Sequence, residues 1–546
     1  MTDATRGLEN ILTEYGAPDA SMAWLLCDRH APETVAYTIV DGDTAFAVTY
    51  AQLRQDSNRV AHGLLGLGIG PGDRVASLLR KGPELITLMI GIWRIGAVYA
   101  PLFTAFGAPA ADYRLRTAGA RLVVVDPEQR AKLDGGDAQQ PAPWQVMVVG
   151  GDGRAGDIRY DALIEAADAA DIPPFVQGGD GAIVHIFTSG TTGLPKGVIH
   201  PLRYAAGWES YLQFGLGVTA EDVYWCGADP GWAYGLYAAI VAPLAAGTGT
   251  ILQVGAFNAV ATWRTIEQLG VTNYTAAPTV FRALRAATPS DRSSLHLRRL
   301  SSAGEPLTPE VNDWAERELG LTVHDHFGQT EVGMIFANHH HSDFARPVRA
   351  GSMGQPLPGW SAKVLDESSP RELAQGEVGR IAIDVVESPM MTFQSYQERA
   401  KTKTRFTGNG RYYLLGDLGS VGTEGEFRFS SRDDDVILMA GYRIGPFEVE
   451  SVISQHPQVA ECAVIGAPDE ARGEVLEAYV VLRGDAAGSA ELTGQIQQLV
   501  RTQFAAHAYP RAVHVVDQLP KTPSGKIQRF LLREQRRAEK EAEGTS

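Results

Sequence analysis

Between Phe187 and Gly197 the chain reads Phe-Thr-Ser-Gly-Thr-Thr-Gly-Leu-Pro-Lys-Gly, a run of hydroxyls and glycines carrying one cation. Glycines let a backbone approach a phosphate closely and aim several N–H groups at it. Thr188, Ser189, Thr191 and Thr192 add hydroxyl donors, Gly190 and Gly193 add conformational freedom, and Lys196 adds a positive charge. This is the chemistry of a polyphosphate grip. A Walker loop is excluded, because its lysine is followed by Ser or Thr and then a helix. Here Lys196 lies between Pro195 and Gly197 and leads into apolar Val198-Ile199. The plain alternative is a flexible Ser/Thr/Gly linker between two strands.

Further downstream, His326-Phe327-Gly328-Gln329-Thr330-Glu331 sets a carboxylate beside a hydroxyl and an aromatic ring close by. Mg²⁺ held against a phosphate takes one or two carboxylates plus substrate oxygens, and Phe327 is able to stack on a purine. Read alone, the same string is a loop with a helix cap. In Leu415-Gly416-Asp417 the carboxylate of Asp417 can accept two hydrogen bonds from a vicinal diol. Arg432 opens a charged break, Arg432-Asp433-Asp434-Asp435. A glycine-rich turn, Gly441-Tyr442-Arg443-Ile444-Gly445, follows it, and Lys521-Thr522-Pro523-Ser524-Gly525-Lys526-Ile527 lies near the end. The last could be a basic surface loop, which leaves its Pro-Ser-Gly frame unexplained.

Taken in order, these segments resemble the signatures of the adenylate-forming superfamily, and within it the acetyl- and medium-chain acyl-CoA synthetases. Ala228-Asp229-Pro230-Gly231-Trp232, Ala277-Pro278-Thr279-Val280 and Arg443-Ile444-Gly445-Pro446-Phe447-Glu448-Val449-Glu450 carry the resemblance to that branch. It implies activation of a carboxylic acid by ATP to an acyl-adenylate and pyrophosphate, then transfer to CoA. The rival within the family is delivery to a carrier protein or another nucleophile. The resemblance makes Lys196 a β/γ-phosphate holder, Thr330 an α-phosphate contact and Glu331 the metal carboxylate. It lines the adenine with Gly304, Glu305 and Pro306 and makes Asp417 and Arg432 ribose or phosphate contacts. Lys526 becomes the catalytic lysine that meets carboxylate and α-phosphate. A unit charge about 4 Å away at an effective dielectric near 20 is worth roughly 4 kcal/mol, or about a thousandfold in rate.

By the same resemblance the acyl pocket is walled by Trp232, Ala233, Tyr234, Ala303 and Gly328. Acetate-activating relatives carry tryptophan where Gly328 stands, so glycine is expected to open the pocket to a medium-chain, branched or aryl acid, each buried CH₂ adding about 0.8 kcal/mol. Gly441 would pass the pantetheine arm of CoA, Arg443 would meet a phosphate, and Arg501, Arg130 and Lys132 would serve the CoA phosphates. Asp434 falls where relatives hinge a small mobile domain. Expected cofactors are ATP, Mg²⁺ and CoA.

These residues need a scaffold larger than one core. The 546-residue length predicts two or more domains. Net charge −16 argues against nucleic acid or an anionic membrane as partner. The 3 cysteines are scattered, as suits a reducing cytoplasm. The apolar window Leu85–Phe106 contains Arg94 and Pro101, which favours a buried helix and strand over a membrane span. Strand patterns at 74–79, 121–126, 145–149 and 182–186 alternate with helix patterns at 50–67 and 83–96. That alternation predicts α/β layers with largely parallel sheets. After Gly425 a compact α+β pattern begins. The expected organisation is a large adenylation domain over 1–433 and a small lid domain over 434–546. The triple histidine His339-His340-His341 reads as a solvated loop, since consecutive histidines share one metal poorly.

Overall fold

The computed structural model describes residues 3–134, 142–151, 153–168, 170–188, 195–433, 435–439, 442–469, 473–484, 486–505, 508–522 and 526–544. Helix starts follow local chemistry. Thr49 accepts from the Gln52 N–H while Gln52 returns a bond to the Thr49 N–H, a reciprocal cap that opens Tyr50–Gly66. Proline at the first turn opens Pro83–Arg94, whose side chains are buried almost throughout. Arg94 ends that helix with its guanidinium 2.7 Å from Asp28, a buried pair that lets a charge stand inside the apolar run. The window is therefore a core helix followed by the strand Val98–Pro101. Among the described residues no helix is long and apolar enough to cross a membrane.

Two sheets pack within the first 432 residues and share one large apolar core. In the seven-stranded sheet the order is Ile158–Arg159, Gln145–Val148, Ala120–Val125, Arg74–Leu78, Val98–Pro101, Ala182–Phe187 and Gly197–Pro201. Its pairs are parallel until Gly197–Pro201 turns back antiparallel on Ala182–Phe187. The thirteen-stranded sheet is parallel through Thr250–Gln253, Tyr224–Cys226, Asn273–Ala276, Arg299–Ala303 and Val323–Gln329.

From Val323–Gln329 onward the same sheet continues antiparallel through Gly333–Ala337, Ser352–Pro356, Phe427–Arg432, Tyr412–Val421, Gly379–Asp384 and Ala362–Leu365. The largely parallel arrangement expected from sequence thus holds for only part of it. Parallel pairing needs a crossover of a dozen or more residues, and the connection from Gln329 to Gly333 is a turn.

Beyond Ile437 a third sheet forms from Ile437–Met439, Tyr442–Ile444, Gly473–Leu482, Val459–Asp469 and Ala512–Val515. It has its own core, including Ile444, Val449, Val464, Val480 and Ile496. The charged tail after Arg533 is part of the helix Arg529–Gly544, which lies against Val459–Asp469.

Candidate active site

The strands Ala182–Phe187 and Gly197–Pro201, on either side of the Ser/Thr/Gly segment, pair antiparallel. Phe187 stands opposite Gly197, and the Thr188 N–H donates to the Lys196 carbonyl at 3.0 Å. Ser189, Gly190, Thr191, Thr192 and Gly193 lie outside the described residues. A side chain at Gly197 would meet His185 Nε2 at 2.8 Å and Gln397 Oε1 at 2.9 Å, so the close approach requires glycine. The Lys196 ammonium sits 4.9 Å from the centre of the Tyr396 ring. Tyr396 in turn donates its hydroxyl to Glu331 Oε1 at 2.5 Å. Arg405 donates to the Tyr396 hydroxyl at 3.2 Å and comes within 3.7 Å of Glu331 Oε1. Among the described residues these partners occupy one oxygen of Glu331 and leave the other for a cation, which fits Mg²⁺ held by one carboxylate plus phosphate oxygens.

Thr330 is fixed through its backbone. Its carbonyl accepts from His200 Nε2 at 2.7 Å and from the Tyr204 hydroxyl at 3.0 Å. Because a carbonyl only accepts, His200 carries its proton on Nε2 and takes the Tyr237 hydroxyl at Nδ1, 2.8 Å away. His200, Tyr204, Tyr396 and Arg405 were not singled out from sequence. Strand alternation offered a signal for His200: Val198 and His200 face inward while Ile199 is exposed.

Asp417 and Arg432 stand opposite each other on neighbouring strands, with 3.9 Å between Asp417 Oδ1 and the guanidinium. Gln329 donates to Asp417 Oδ2 and to the Leu415 carbonyl, each at 2.7 Å. Burial raises the Asp417 carboxyl to about 6, against the pull of Arg432, Arg405 and Lys526. Lys526 keeps accessible surface, but protein crowds it enough that lost hydration is the first cause lowering its ammonium pKa. Arg432 adds repulsion; Asp417, Glu305 and Glu331 oppose it. The lysine's own turn is closed by Thr522 N–H to the Lys526 carbonyl at 2.7 Å and Lys526 N–H to the Thr522 hydroxyl at 3.1 Å. Lys526 therefore reaches from the small domain into the field of the residues singled out at 305, 331, 417 and 432.

The Gly304-Glu305-Pro306 turn is anchored from outside. Glu305 accepts the Thr279 N–H at 3.0 Å and lies 3.4 Å from Arg282, and Gly304 adopts φ +104, where a side chain is strained. Phe327 lies beside Phe336 with ring centres 5.9 Å apart.

In the expected acyl wall, Trp232 packs on Phe103 and Phe106 at 5.4 Å each, and Ala233 and Ala303 are buried. Gly328 corrects the opened-pocket argument. A side chain there would point at the Gly333 carbonyl and Met334 Sδ, the latter 2.6 Å away, so this space is already filled by the adjoining hairpin. The bulge between Phe327 and Gly328 turns that Cα–H inward.

Arg130 is held by Asp157 at 2.6 Å and Asp134 at 2.9 Å, while Lys132 donates to the Thr104 carbonyl at 2.5 Å. Arg501 stacks on Tyr509 at 3.7 Å. Gly441 and Asp434 lie outside the described residues, and Arg443 is described only as backbone paired with Leu438. The solvated-loop expectation for the histidines is overturned. His339 is buried, and His340 stacks on His324 with ring centres 3.7 Å apart. Neutral imidazoles bury here because their N–H groups meet carbonyls, as in His340 to Leu300 at 3.2 Å. Among the described residues no cluster of ligands could hold a metal by itself.

The AMP-binding enzyme family matches residues 27–392, and the AMP-binding enzyme C-terminal domain matches residues 448–526. The acetyl-coenzyme A synthetase of Bacillus subtilis is 37% identical, over 94% of this chain and 90% of that protein. A mitochondrial acyl-coenzyme A synthetase of Mus musculus is 32% identical, over 95% and 90%. The crystal structure of an acyl-CoA synthetase of Brucella canis superposes with TM-score 0.76 at 41% identity, covering 98% of this chain and 97% of that one. An anthranilate CoA ligase solved with anthranoyl-AMP superposes with TM-score 0.85 at 27% identity, over 95% and 98%.

Proposed function

Because the chain belongs to the AMP-binding enzyme family and is an AMP-forming acyl-CoA ligase, we propose how its residues divide that work and which acids it takes. The observation that carries the assignment is that Lys526 lies within electrostatic reach of Glu305, Glu331, Asp417 and Arg432. In the first half-reaction a carboxylate oxygen of the acid attacks the α-phosphorus of ATP and pyrophosphate leaves. Two anions approach each other, so the Lys526 ammonium stabilises the charge that develops. Thr330 orients the α-phosphate, its backbone clamped by His200 and Tyr204. Lys196 and the polyphosphate loop hold the leaving pyrophosphate. Glu331 would hold Mg²⁺ through its remaining oxygen, and that ion supplies charge neutralisation on the phosphates. Asp417, held by Gln329, accepts the ribose hydroxyls, and Phe327 and the 304–306 turn face the adenine. In the second half-reaction the CoA thiolate attacks the acyl carbon, the thioester bond forms and AMP leaves.

The second step uses the segment 441–445, with Arg443 and Arg501 as phosphate contacts, after the small domain rotates about Asp434. Arg130 and Lys132 serve CoA only by exchanging Asp157 and Thr104 for it. The acid is medium-chain, branched or aryl. Small side chains at Ala233 and Ala303 support this, as does the likeness to an anthranilate and a benzoate CoA ligase. The likeness to an acetyl-coenzyme A synthetase, with the filled space at Gly328, favours acetate as the second reading. Three unpaired, buried cysteines support a reducing cytoplasm as its compartment.

Pyrophosphate exchange with a panel of acids, followed by CoA-dependent thioester formation, tests the scheme. Exchange favouring acetate over butyrate and longer acids overturns the acid assignment. Exchange without CoA consumption points to another acceptor, such as a carrier protein.

A further inference from the structure

Tyr234 begins a chain of buried hydrogen bonds whose direction can be deduced from its far end. Thr275 Oγ1 is 2.7 Å from the Tyr234 hydroxyl, which is 2.9 Å from the Tyr211 hydroxyl, which is 2.8 Å from His326 Nδ1. His326 Nε2 lies 3.2 Å from the Asn338 carbonyl. Tyr211, Thr275 and His326 are buried, whereas Tyr234 keeps part of its surface accessible.

A carbonyl accepts and never donates, so His326 carries its proton on Nε2 and presents a lone pair at Nδ1. Tyr211 has one proton and gives it to that lone pair. Tyr234 likewise has one proton, and the Tyr211 oxygen is its acceptor. Thr275 must then donate to the Tyr234 oxygen. Reversing the chain would set the Nε2 lone pair against the Asn338 oxygen, an electrostatic repulsion.

We propose that Tyr211, His326 and Thr275 are positioning residues that keep the Tyr234 hydroxyl fully engaged, so that this wall of the acyl pocket selects acyl groups with no hydrogen-bonding group at the far end. The inference rests on the reading that Tyr234 lines the acyl pocket. An acyl tail bearing a carbonyl finds no free proton there, one bearing a hydroxyl meets an oxygen that already accepts from Thr275, and each loses its bonds to water on entry. Relaxing the chain at its two ends has opposite consequences. Tyr211→Phe removes the acceptor and frees the Tyr234 proton, which favours tails that accept. Thr275→Val, nearly the same shape, uncovers the Tyr234 oxygen, which favours tails that donate.

The test is kcat/KM for a straight-chain acid, for a keto acid of equal length and for a hydroxy acid of equal length, with wild type, Tyr211→Phe and Thr275→Val. Wild type is expected to prefer the plain chain by about tenfold or more. Tyr211→Phe should narrow the plain-to-keto ratio by about tenfold, and Thr275→Val should narrow the plain-to-hydroxy ratio while leaving the keto ratio unchanged. Unchanged ratios in both variants overturn the proposal, as does a wild type that prefers the polar tails. Tyr234→Ala separates the two layers. If it leaves the whole acid panel unmoved, Tyr234 is outside the pocket and the underlying reading fails. If it alters chain-length preference while the other variants leave the ratios fixed, only the proton-direction inference fails. Should Tyr211→Phe not fold, Thr275→Val alone decides the matter.

Discussion

The side-chain amide of Gln329 donates to Asp417 Oδ2 at 2.7 Å, joining the segment that ends in Glu331 to the strand that carries the ribose carboxylate. Asp417 is otherwise buried, which lifts its carboxyl to about 6. In its proposed role Asp417 accepts two ribose hydroxyls, which it can do only when ionised. The kcat/KM for ATP is therefore expected to fall about tenfold per pH unit below about 6. Gln329→Leu removes a bond to the charged form, so this acid limb should move to higher pH. A limb that stays in place in the variant counts against the coupling.

Lys526 is asked to supply the charge in adenylation only. Lys526→Ala is expected to slow pyrophosphate exchange by about a thousandfold, while thioester formation from supplied acyl-adenylate stays within a few-fold. Gly441→Leu should do the reverse by obstructing the pantetheine path. Since lost hydration and Arg432 lower the lysine pKa, adenylation should decline on the alkaline side before an ordinary lysine would titrate. Equal loss of both half-reactions in either variant argues against two arrangements of the small domain.

The local signatures were readable because phosphate, metal and diol recognition each demand particular residue types at short spacing. What joins them was not readable. His200 reaches Thr330 across 130 positions and Tyr396 reaches Glu331 across 65, through pairing registers that spacing along the chain does not encode. Gly328 shows the same limit. Its type suggested a hole, but the bulge beside it decides where its missing side chain would point, and Met334 fills that direction. His339 and His340 looked solvated because polarity was read without partners, and the carbonyls of Phe214 and Leu300 supply them.

Those buried imidazoles contribute to the acid sensitivity of the fold. Burial pushes His200 down to about 3 and His185 and His339 to about 4, and lowers His324, His326 and His340 as well. Unfolded histidine titrates at 6.5, so between these values the unfolded chain binds more protons. Stability is complete above pH 6.5 and falls as pH drops towards 4. The raised carboxyls of Asp325 and Asp417 act in the opposite sense and soften the fall. His185 is buried against Phe187, and Gln397 is the side chain beside its ring. His185→Leu removes a group that the folded chain holds neutral and is expected to flatten the acid slope in thermal unfolding. An unchanged acid slope in the variant would count against His185 as a contributor.

The same measurement applied to Asp435 tests how motion reaches the catalytic lysine. On one side of position 434, the Asp433 N–H is bonded to the Gly416 carbonyl of the large domain at 3.1 Å. On the other, Asp435 is held by Arg533 at 2.7 Å and Arg529 at 3.4 Å, both on the terminal helix of the small domain. Arg529 also makes paired bonds to Glu450 at 2.9 and 2.6 Å and lies just after the Lys526 turn. If the small domain turns about Asp434, as proposed, Asp435 and Arg529 would carry that rotation towards Lys526. Asp435→Asn should weaken that link, lowering pyrophosphate exchange by about tenfold while thioester formation from supplied adenylate changes little, because that step is not assigned to Lys526. Arg533→Ala should act alike. The double variant should be no worse than either single change, with a coupling of about 1–3 kcal/mol in thermal unfolding. Additive losses, or equal damage to both half-reactions, would assign this cluster to the stability of the small domain alone.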